Sequence, residues 1–390
     1  MKKILSLSTI ILFPFLLFSQ TYVPGQIYYD STGYVQYRAG NLPIILSSPH
    51  GGDLQPSSIP DRNCSGCVYL KDSWTKEITE GVYNKIVSET GCYPHVIINL
   101  LHRKKFDANR DIIDAADGNP TVEIAWQTYH NFIDSAKNQI VEDYGRGLFL
   151  DIHGHAHTIQ RIELGYLLSK NELQLQDTTL NTNIYIEESS IRALVEENIQ
   201  NFSHSELLRG NYSFGTIMDD KGFPCVPSSS DPFPQGSEPY FSGGYNTQRH
   251  SSRNNNGEID GIQIEMNQSI RFDSIMREML VDSLNLSINE YVDFHYNNQF
   301  INNYCGLILE VTENNDINLK LYPNPATDYF YLSGEANNTE LSIFNSIGQK
   351  VISEQWSKDE VNIELLPAGL YFVRIVKNNI TLDMVKLIKE

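Results

Sequence analysis

Three short, mostly apolar runs constrain this chain more than anything else in it: LPIIL (residues 42–46), VIINLL (96–101) and GLFLDI (147–152). A strand that faces water on one side alternates polar and apolar residues. A run without that alternation is covered on both faces, as in a parallel sheet between helices. The intervening segments supply those helices. Residues 73–90 put Trp74, Ile78, Val82 and Ile86 on one helical face. Asn119-Pro120 reads as an N-cap and first-turn proline. It opens a helix with Trp126, Tyr129, Ile133, Ala136 and Ile140 on one side. Glu163–Leu168 and Gly261–Met266 read as further strands, and Arg271 to Tyr296 as a long amphipathic helix. The expected architecture is α/β, a mixed sheet flanked by helices, preceded by a short hairpin before residue 40.

The pattern weakens between residues 171 and 246, where one helix near Ser189–Asn201 and a long Pro/Ser/Gly-rich loop over 222–245 are expected. From about residue 316 the period changes to two. Leu370, Phe372 and Arg374 alternate with Tyr371, Val373 and Ile375, and Asn378-Asn379 reads as a hairpin turn. A small β-sandwich is expected there, with the boundary within 303–318.

The 390 residues suffice for a large and a small domain. With 29 Lys and Arg against 48 Asp and Glu, the formal net charge is −19. That excludes a nucleic-acid binder, which needs clustered cations. Lys2 and Lys3 precede an apolar run, Ile4 to Phe18, and Ser19-Gln20 lies near a cleavage point. This is the layout of a signal peptide, residues 1–20, with a membrane anchor as the alternative. No later segment is apolar and long enough to span a bilayer. Five cysteines allow one or two disulfides in an exported chain and leave one thiol over. Cys64 and Cys67 are spaced for a local disulfide or for two unpaired thiols.

Candidate chemistry collects at the carboxyl ends of the strands, where ligands bind in open α/β sheets. In SSPHGGD (47–53), His50 and Asp53 stand three apart on a bend that Gly51 and Gly52 allow. They suit either a turn or a zinc site. In LFLDIHGHAH (148–157), His153 follows the strand, with His155 and His157 beyond it. Asp151 lies two residues before His153, placed to orient a ligand imidazole. Arg103, Asn109 and Arg110 follow the second run and suit either a solvated basic turn or the capture of a carboxylate. In DGIQIEMNQ (260–268), Gln263 and Glu265 share one strand face, and a carboxylate there suits proton transfer in a metal hydrolase.

Taken together, SSPHGG, DANRD, YHNFI, FLDIHGH, FSGGYNT and IQIEMNQ stand in the order found in the N-formylglutamate amidohydrolase family, which the chain resembles over residues 40–300. The resemblance implies a zinc-exopeptidase (phosphorylase/hydrolase-like) fold. It implies Zn2+ at His50 and His153, Glu265 as general base, and Asn109 and Arg110 holding a substrate carboxylate, with Arg103, His130 and Arg249 as further substrate positions. His155 and Asp151 would stand behind the ligands. The third ligand is Asp53, by analogy with a His-x-x-Glu motif, or Asp72, which also fits as N-cap of the helix from Ser73.

The tail resembles a C-terminal sorting domain (type A) of the type IX secretion system of Bacteroidota, through YPNP, IFNSIGQKV and LPAGLYFVRI. The expected organisation is a leader (1–20), an amidohydrolase-like domain (21–310) and a sorting domain (316–390) that engages the secretion machinery. The expected activity is hydrolysis of an amide in an acyl-amino acid or peptide with a nearby carboxylate, outside the cell or at its surface. The alternatives are a non-catalytic binding protein on the same fold and a hydrolase of cell-wall or poly-glutamate peptides.

Overall fold

The computed structural model describes residues 22–296 and, beyond them, 321–332, 339–345, 350–356, 360–377 and 380–390. The leader, the 303–318 boundary and the Asn378-Asn379 turn lie outside the described residues. The chain divides into two compact units, Met1–Cys305 and Gly306–Glu390.

The first unit is built on eight strands: β1 (Ile27–Tyr29), β2 (Val35–Arg38), β3 (Ile44–Ser48), β4 (His95–Asn99), β5 (Gly147–Gly154), β6 (Ile162–Gly165), β7 (Cys225–Val226) and β8 (Ile259–Met266). They form one mixed sheet in the order β1-β2-β4-β3-β5-β8-β6-β7. Its centre, β4-β3-β5-β8, is parallel. The expected hairpin β1-β2 extends one edge, and β6 runs antiparallel to β8. β6 is shorter than its apolar run because Leu167, at φ 64°, turns the chain out of the sheet.

The main helices are α1 (Thr75–Thr90), α2 (Ile112–Ala116) and α3 (Pro120–Tyr144). Short helices α4 to α9 follow (Lys170–Leu173, Asp177–Leu180, Asn183–Glu188, Arg192–Glu197, His204–Arg209, Phe214–Asp220). Then come α10 (Tyr245–His250), α11 (Gln268–Phe272) and α12 (Ser274–His295). Ile78, Val82 and Ile86 of α1 and Leu280, Leu284 and Ile288 of α12 pack with Leu46, Leu148, Leu150 and Ile264 on one sheet face. Tyr129, Ile133, Ala136 and Ile140 of α3 pack with Ile45, Ile97, Phe149 and Ile259 on the other. Each such side chain leaving water contributes about 1.5–3 kcal/mol, so burial on both faces fixes the sheet between its helices.

Local details depart from expectation. Trp74 does not join the core face of α1. It stands before the helix at φ 73°, is 38% exposed, and carries the Arg277 guanidinium 4.0 Å above its ring. The helix starts at Thr75, and Asp72 does not cap it with its carboxylate. Instead the Asp72 backbone carbonyl accepts from Thr75 N (3.2 Å) and Thr75 Oγ1 (2.7 Å), leaving the side chain for other partners. The long C-terminal helix is divided at Asp273, whose carboxylate caps α12 through Ile275 N and Met276 N. Cys64 and Cys67 form a disulfide, and Cys225 is a buried free thiol.

The second unit has a three-stranded sheet, β9 (Leu321–Tyr322), β10 (Tyr329–Leu332) and β13 (Val361–Asn362). A four-stranded sheet joins β11 (Thr339–Asn345), β12 (Lys350–Trp356), β14 (Gly369–Lys377) and β15 (Ile380–Lys389). Both feed one core, in which Tyr371, Val373 and Ile375 of β14 meet Phe330, Leu341 and Trp356. Their alternation partner Leu370 is 37% exposed, as the period of two requires.

Candidate metal centre and the cleft around it

The alternation that builds the core also builds the site. Odd-numbered residues of β5 point to the α3 face, so the row that begins with Phe149 ends with Asp151 and His153. Register then sets their neighbours. Asp151 pairs with Gln263 and His153 with Glu265 on β8, while Ser47 of β3 lies beside Asp151.

His50 follows β3 on the PHGGD bend. A Cβ on Gly51 would stand 2.6 Å from Lys76 N, and one on Gly52 2.4 Å from the Leu100 carbonyl carbon. Only glycine lets the bend lie between the start of α1 and the end of β4. That close passage turns His50 inward, where it is 1% exposed.

Two imidazoles and one carboxylate converge: ligand atoms of His50, Asp72 and His153, all three buried, lie within 4.8 Å of one another. Asp72 Oδ2 is 3.2 Å from His50 Nδ1, 3.4 Å from His153 Nδ1 and 3.2 Å from the Gly154 N–H. The opposite ring nitrogens are held by other carboxylates. His50 Nε2 meets Asp107 Oδ1 at 2.6 Å, and His153 Nε2 meets Asp151 Oδ2 at 2.7 Å. A proton on each Nε2 would free each Nδ1 to bind an ion in place of its proton, the arrangement that orients metal-bound histidines.

Asp107 is fully buried and also binds Arg103 Nε at 3.0 Å, with Arg62 at 3.6 Å. Asp151 accepts from Ser47 Oγ and, at 3.4 Å, from Asn246 Nδ2. Asp72, Asp107, Asp151 and Glu265 are thus four buried carboxylates around two imidazoles, with Arg62 and Arg103 against Asp107. The convergence of two imidazoles and the Asp72 carboxylate is compatible with a divalent metal ion.

The charges perturb one another. Burial raises the Asp72 carboxyl, but the His50 charge and hydrogen bonds from His153 and His50 outweigh it and hold it well below the usual range. Burial lowers His153, yet Asp151, Asp72 and Glu265 together lift it well above an ordinary imidazole. Glu265 is pushed up to about 8, first by burial and then by Asp72 and Glu163, against the opposing charges of His153 and Arg103. Its Oε1 lies 4.0 Å from His153 Nδ1 and accepts from Gln263 Nε2 at 2.9 Å.

These groups line a cleft of about 620 Å³ that also carries Asn109, Arg110 and Arg103. Arg110 is exposed in it, and among the described residues no carboxylate comes within 4.0 Å of its guanidinium. Asn109 Oδ1 accepts the Asn246 N–H at 2.7 Å, which orients its amide. Arg103 reaches both Asp107 and Asp72, so its charge is engaged by the centre rather than left for a ligand.

Other expected residues fall elsewhere. Asp53 is not drawn to the histidines: its side chain is 55% exposed and paired with Lys71 and, at 3.8 Å, Lys76. The chain leaves Gly52 heading toward solvent, and the carboxylate at the centre arrives from residue 72. His155 turns its Nε2 to the Arg161 carbonyl (2.9 Å), and its Nδ1 accepts the His157 N–H (3.1 Å). Neither nitrogen meets His50 or His153. His130 is buried in α3, with Nδ1 2.8 Å from His250 Nε2, and does not line the cleft. Arg249 lies over Trp126 and faces another cavity. Sequence reasoning missed Asp107, although it stands inside the DANRD motif, and Arg62, a lone arginine before the disulfide.

Residues 320–390 match the family model described as secretion system C-terminal sorting domain. A tail of this kind implies secretion or display at the cell surface. No curated protein matches the chain. Among solved structures, the chain is similar to an N-formylglutamate amidohydrolase from Ralstonia eutropha JMP134, at 12% identity and a TM-score of 0.40, over 70% of this chain and 98% of that one. It is also similar to a protein from Shewanella denitrificans OS-217 assigned as a carboxypeptidase A, at 10% identity and a TM-score of 0.33, over 66% of this chain and 60% of that one. Among the described residues no helix is long and apolar enough to cross a membrane.

Proposed function

We propose that the chain is an exported zinc-dependent amidohydrolase that cleaves an amide bond near a free carboxylate of its substrate. In this reading residues 1–20 are a leader, 21–310 the hydrolase and 316–390 the sorting domain. The observation that carries it is the juxtaposition, in one cleft, of three convergent ligand side chains, a buried Glu265 4.0 Å from one of them, and an unpaired arginine.

His50, Asp72 and His153 would hold the metal, with Asp107 and Asp151 fixing the two imidazoles from behind. A bound zinc ion supplies Lewis acidity toward a carbonyl and positive charge that favours the ionised form of Glu265. Arg110 binds the substrate carboxylate through its planar fork of donors. Asn109, pinned by Asn246, stands beside it to fix the carboxylate's orientation. Glu265 takes the proton of the attacking water on a carboxylate oxygen and returns it to the leaving amine. Gln263 holds Glu265 in the rotamer that faces His153. Because β5 and β8 carry His153, Gln263 and Glu265 on a packed sheet, binding does not have to assemble these three.

The test is a metal analysis joined to one substitution. Purified full-length protein should hold about one zinc per chain and hydrolyse N-acyl amino acids. Glu265→Gln should retain the metal and lose about 10²- to 10⁴-fold in kcat/KM. Full activity in Glu265→Gln, or a chain that binds no divalent metal, refutes the reading. Amidated substrates should fail, since Arg110 would have no carboxylate to bind.

A further inference from the structure

Arg249, an expected site residue that the cleft leaves out, belongs to a second cavity. It measures about 580 Å³ and opens between α3, α10 and the turn that follows, lined by Asp134, Lys137, Gln248, Arg249, Arg253 and Asn256. Three cations face one carboxylate there, in a chain whose net charge is −19.

That carboxylate does not satisfy them. Asp134 Oδ1 lies 3.2 Å from His250 Nδ1, and Oδ2 reaches Arg249 only at 3.9 Å. Arg249 Nε is buried with no partner among the described residues. Arg253 is anchored through Nε on the Glu188 carbonyl (2.9 Å), which leaves its terminal nitrogens free to face the cavity. Lys137 is half-buried, and among the described residues no carboxylate stands within 4.0 Å of its ammonium. Burial, followed by repulsion from Arg249, already lowers its pKa despite the pull of Asp134. Half-buried cations that repel one another are costly unless an anion joins them, and charge-assisted bonds from a guanidinium fork suit an oxyanion.

We propose that this cavity binds a small oxyanion, a carboxylate or phosphate group, between Lys137, Arg249 and Arg253. The site stands apart from the metal centre and does not depend on the function proposed for the cleft, yet it shares a helix with it. α10 carries Arg249 at one end. At the other it carries Asn246, which donates to Asn109 Oδ1 at 2.7 Å and to Asp151 Oδ1 at 3.4 Å. An anion that draws Arg249 off Asp134 therefore acts on the helix that positions the carboxylate behind His153.

Trp126 is a built-in reporter, since the Arg249 guanidinium lies 5.4 Å over its ring. Full-length protein is titrated with sodium phosphate and, separately, sodium acetate at constant ionic strength held with chloride, following tryptophan fluorescence. At least one of the two should give a saturable change that Trp126→Phe removes. Lys137→Gln and Arg253→Gln should each raise the apparent Kd at least about tenfold, while Arg110→Ala, in the cleft, should leave it unchanged. A response that neither anion saturates, that survives Lys137→Gln combined with Arg253→Gln, or that is lost in Arg110→Ala overturns the proposal. Far-UV circular dichroism checks that each variant is folded. Lys137→Gln alone, at a half-buried position, keeps the test open if the double variant is not.

Discussion

The choice between Asp53 and Asp72 can be put to a paired test, Asp72→Asn against Asp53→Asn. Asp72 lies within 3.4 Å of the His50 and His153 imidazoles and is almost wholly buried. Asp53 is more than half exposed on two lysines. A structural zinc site contributes about 10–16 kcal/mol of apparent binding, or about 3 kcal/mol per ligand over four ligands. An asparagine oxygen at residue 72 keeps the shape and loses the charge, so about 2–3 kcal/mol goes, raising the zinc Kd about 30- to 150-fold. The protein should still fold, because Arg103 keeps its 3.0 Å contact with Asp107. For Asp53→Asn the loss is that of a surface ion pair, at most about 1 kcal/mol of stability and none of zinc affinity. Competition against a chelator of known affinity, with circular dichroism to confirm folding, measures both. Equal loss of zinc in the two variants, or unchanged affinity in Asp72→Asn, refutes the assignment.

Two further predictions follow from groups outside the ligand set. Asp107→Asn removes the charge that orients His50, leaves Arg62 without its buried carboxylate and leaves Arg103 with Asp72 alone. Zinc affinity should fall about 10- to 100-fold and unfolding in urea should ease by about 3 kcal/mol; unchanged values for both would show that Asp107 positions nothing. His95 is buried among apolar side chains, its Nδ1 accepting from the Gly40 N–H and meeting Tyr37 Oη, and burial lowers its pKa to about 3. A depressed imidazole contributes stability that is present above its unfolded value near 6.5 and is lost as pH falls toward 3. At pH 5, 1.5 units below that value, the loss is about 2 kcal/mol. His95→Gln should be about 2 kcal/mol less sensitive to a shift from pH 7.5 to 5.0 than the parent, read from urea midpoints; an identical pH slope in both proteins would contradict this.

What could be read from the sequence, and what could not, divides by how local the cause is. The runs at 42–46, 96–101 and 147–152 are strands because apolar residues occupy both faces of each, a property of five or six residues taken alone. The inward placement of Asp151 and His153 follows from the same alternation, and Glu265 joins them because parallel register pairs it with His153. The third member of the cluster is different. His-x-x-Asp spacing makes Asp53 look like the partner of His50, but Gly51 and Gly52 fit so closely between α1 and β4 that the chain must continue outward, away from the histidine. Asp72 comes back to His50 only after nineteen further residues, by a path that includes the Cys64–Cys67 disulfide. Arg62 ties that path to the next loop through the carbonyls of Val68, Arg103 and Asp114. None of these contacts has a sequence period.

A motif in the right order can still carry a residue to the wrong side. His130 and Arg249 sit in segments that accompany the site along the chain, but α3 and α10 face the sheet with one surface each. His130 is committed to the apolar side by Trp126, Tyr129 and His250. Arg249, four residues after Tyr245 on a six-residue helix, points away from the end that holds Asn246 against Asp151. Asn246 and Arg249 stand only three residues apart, about 4.5 Å along the helix axis, and that step separates a group bonded to Asp151 from a cation in a different cavity. Spacing along the chain therefore ranks the candidates for a site, whereas membership is decided by which strand end or helix end each one occupies.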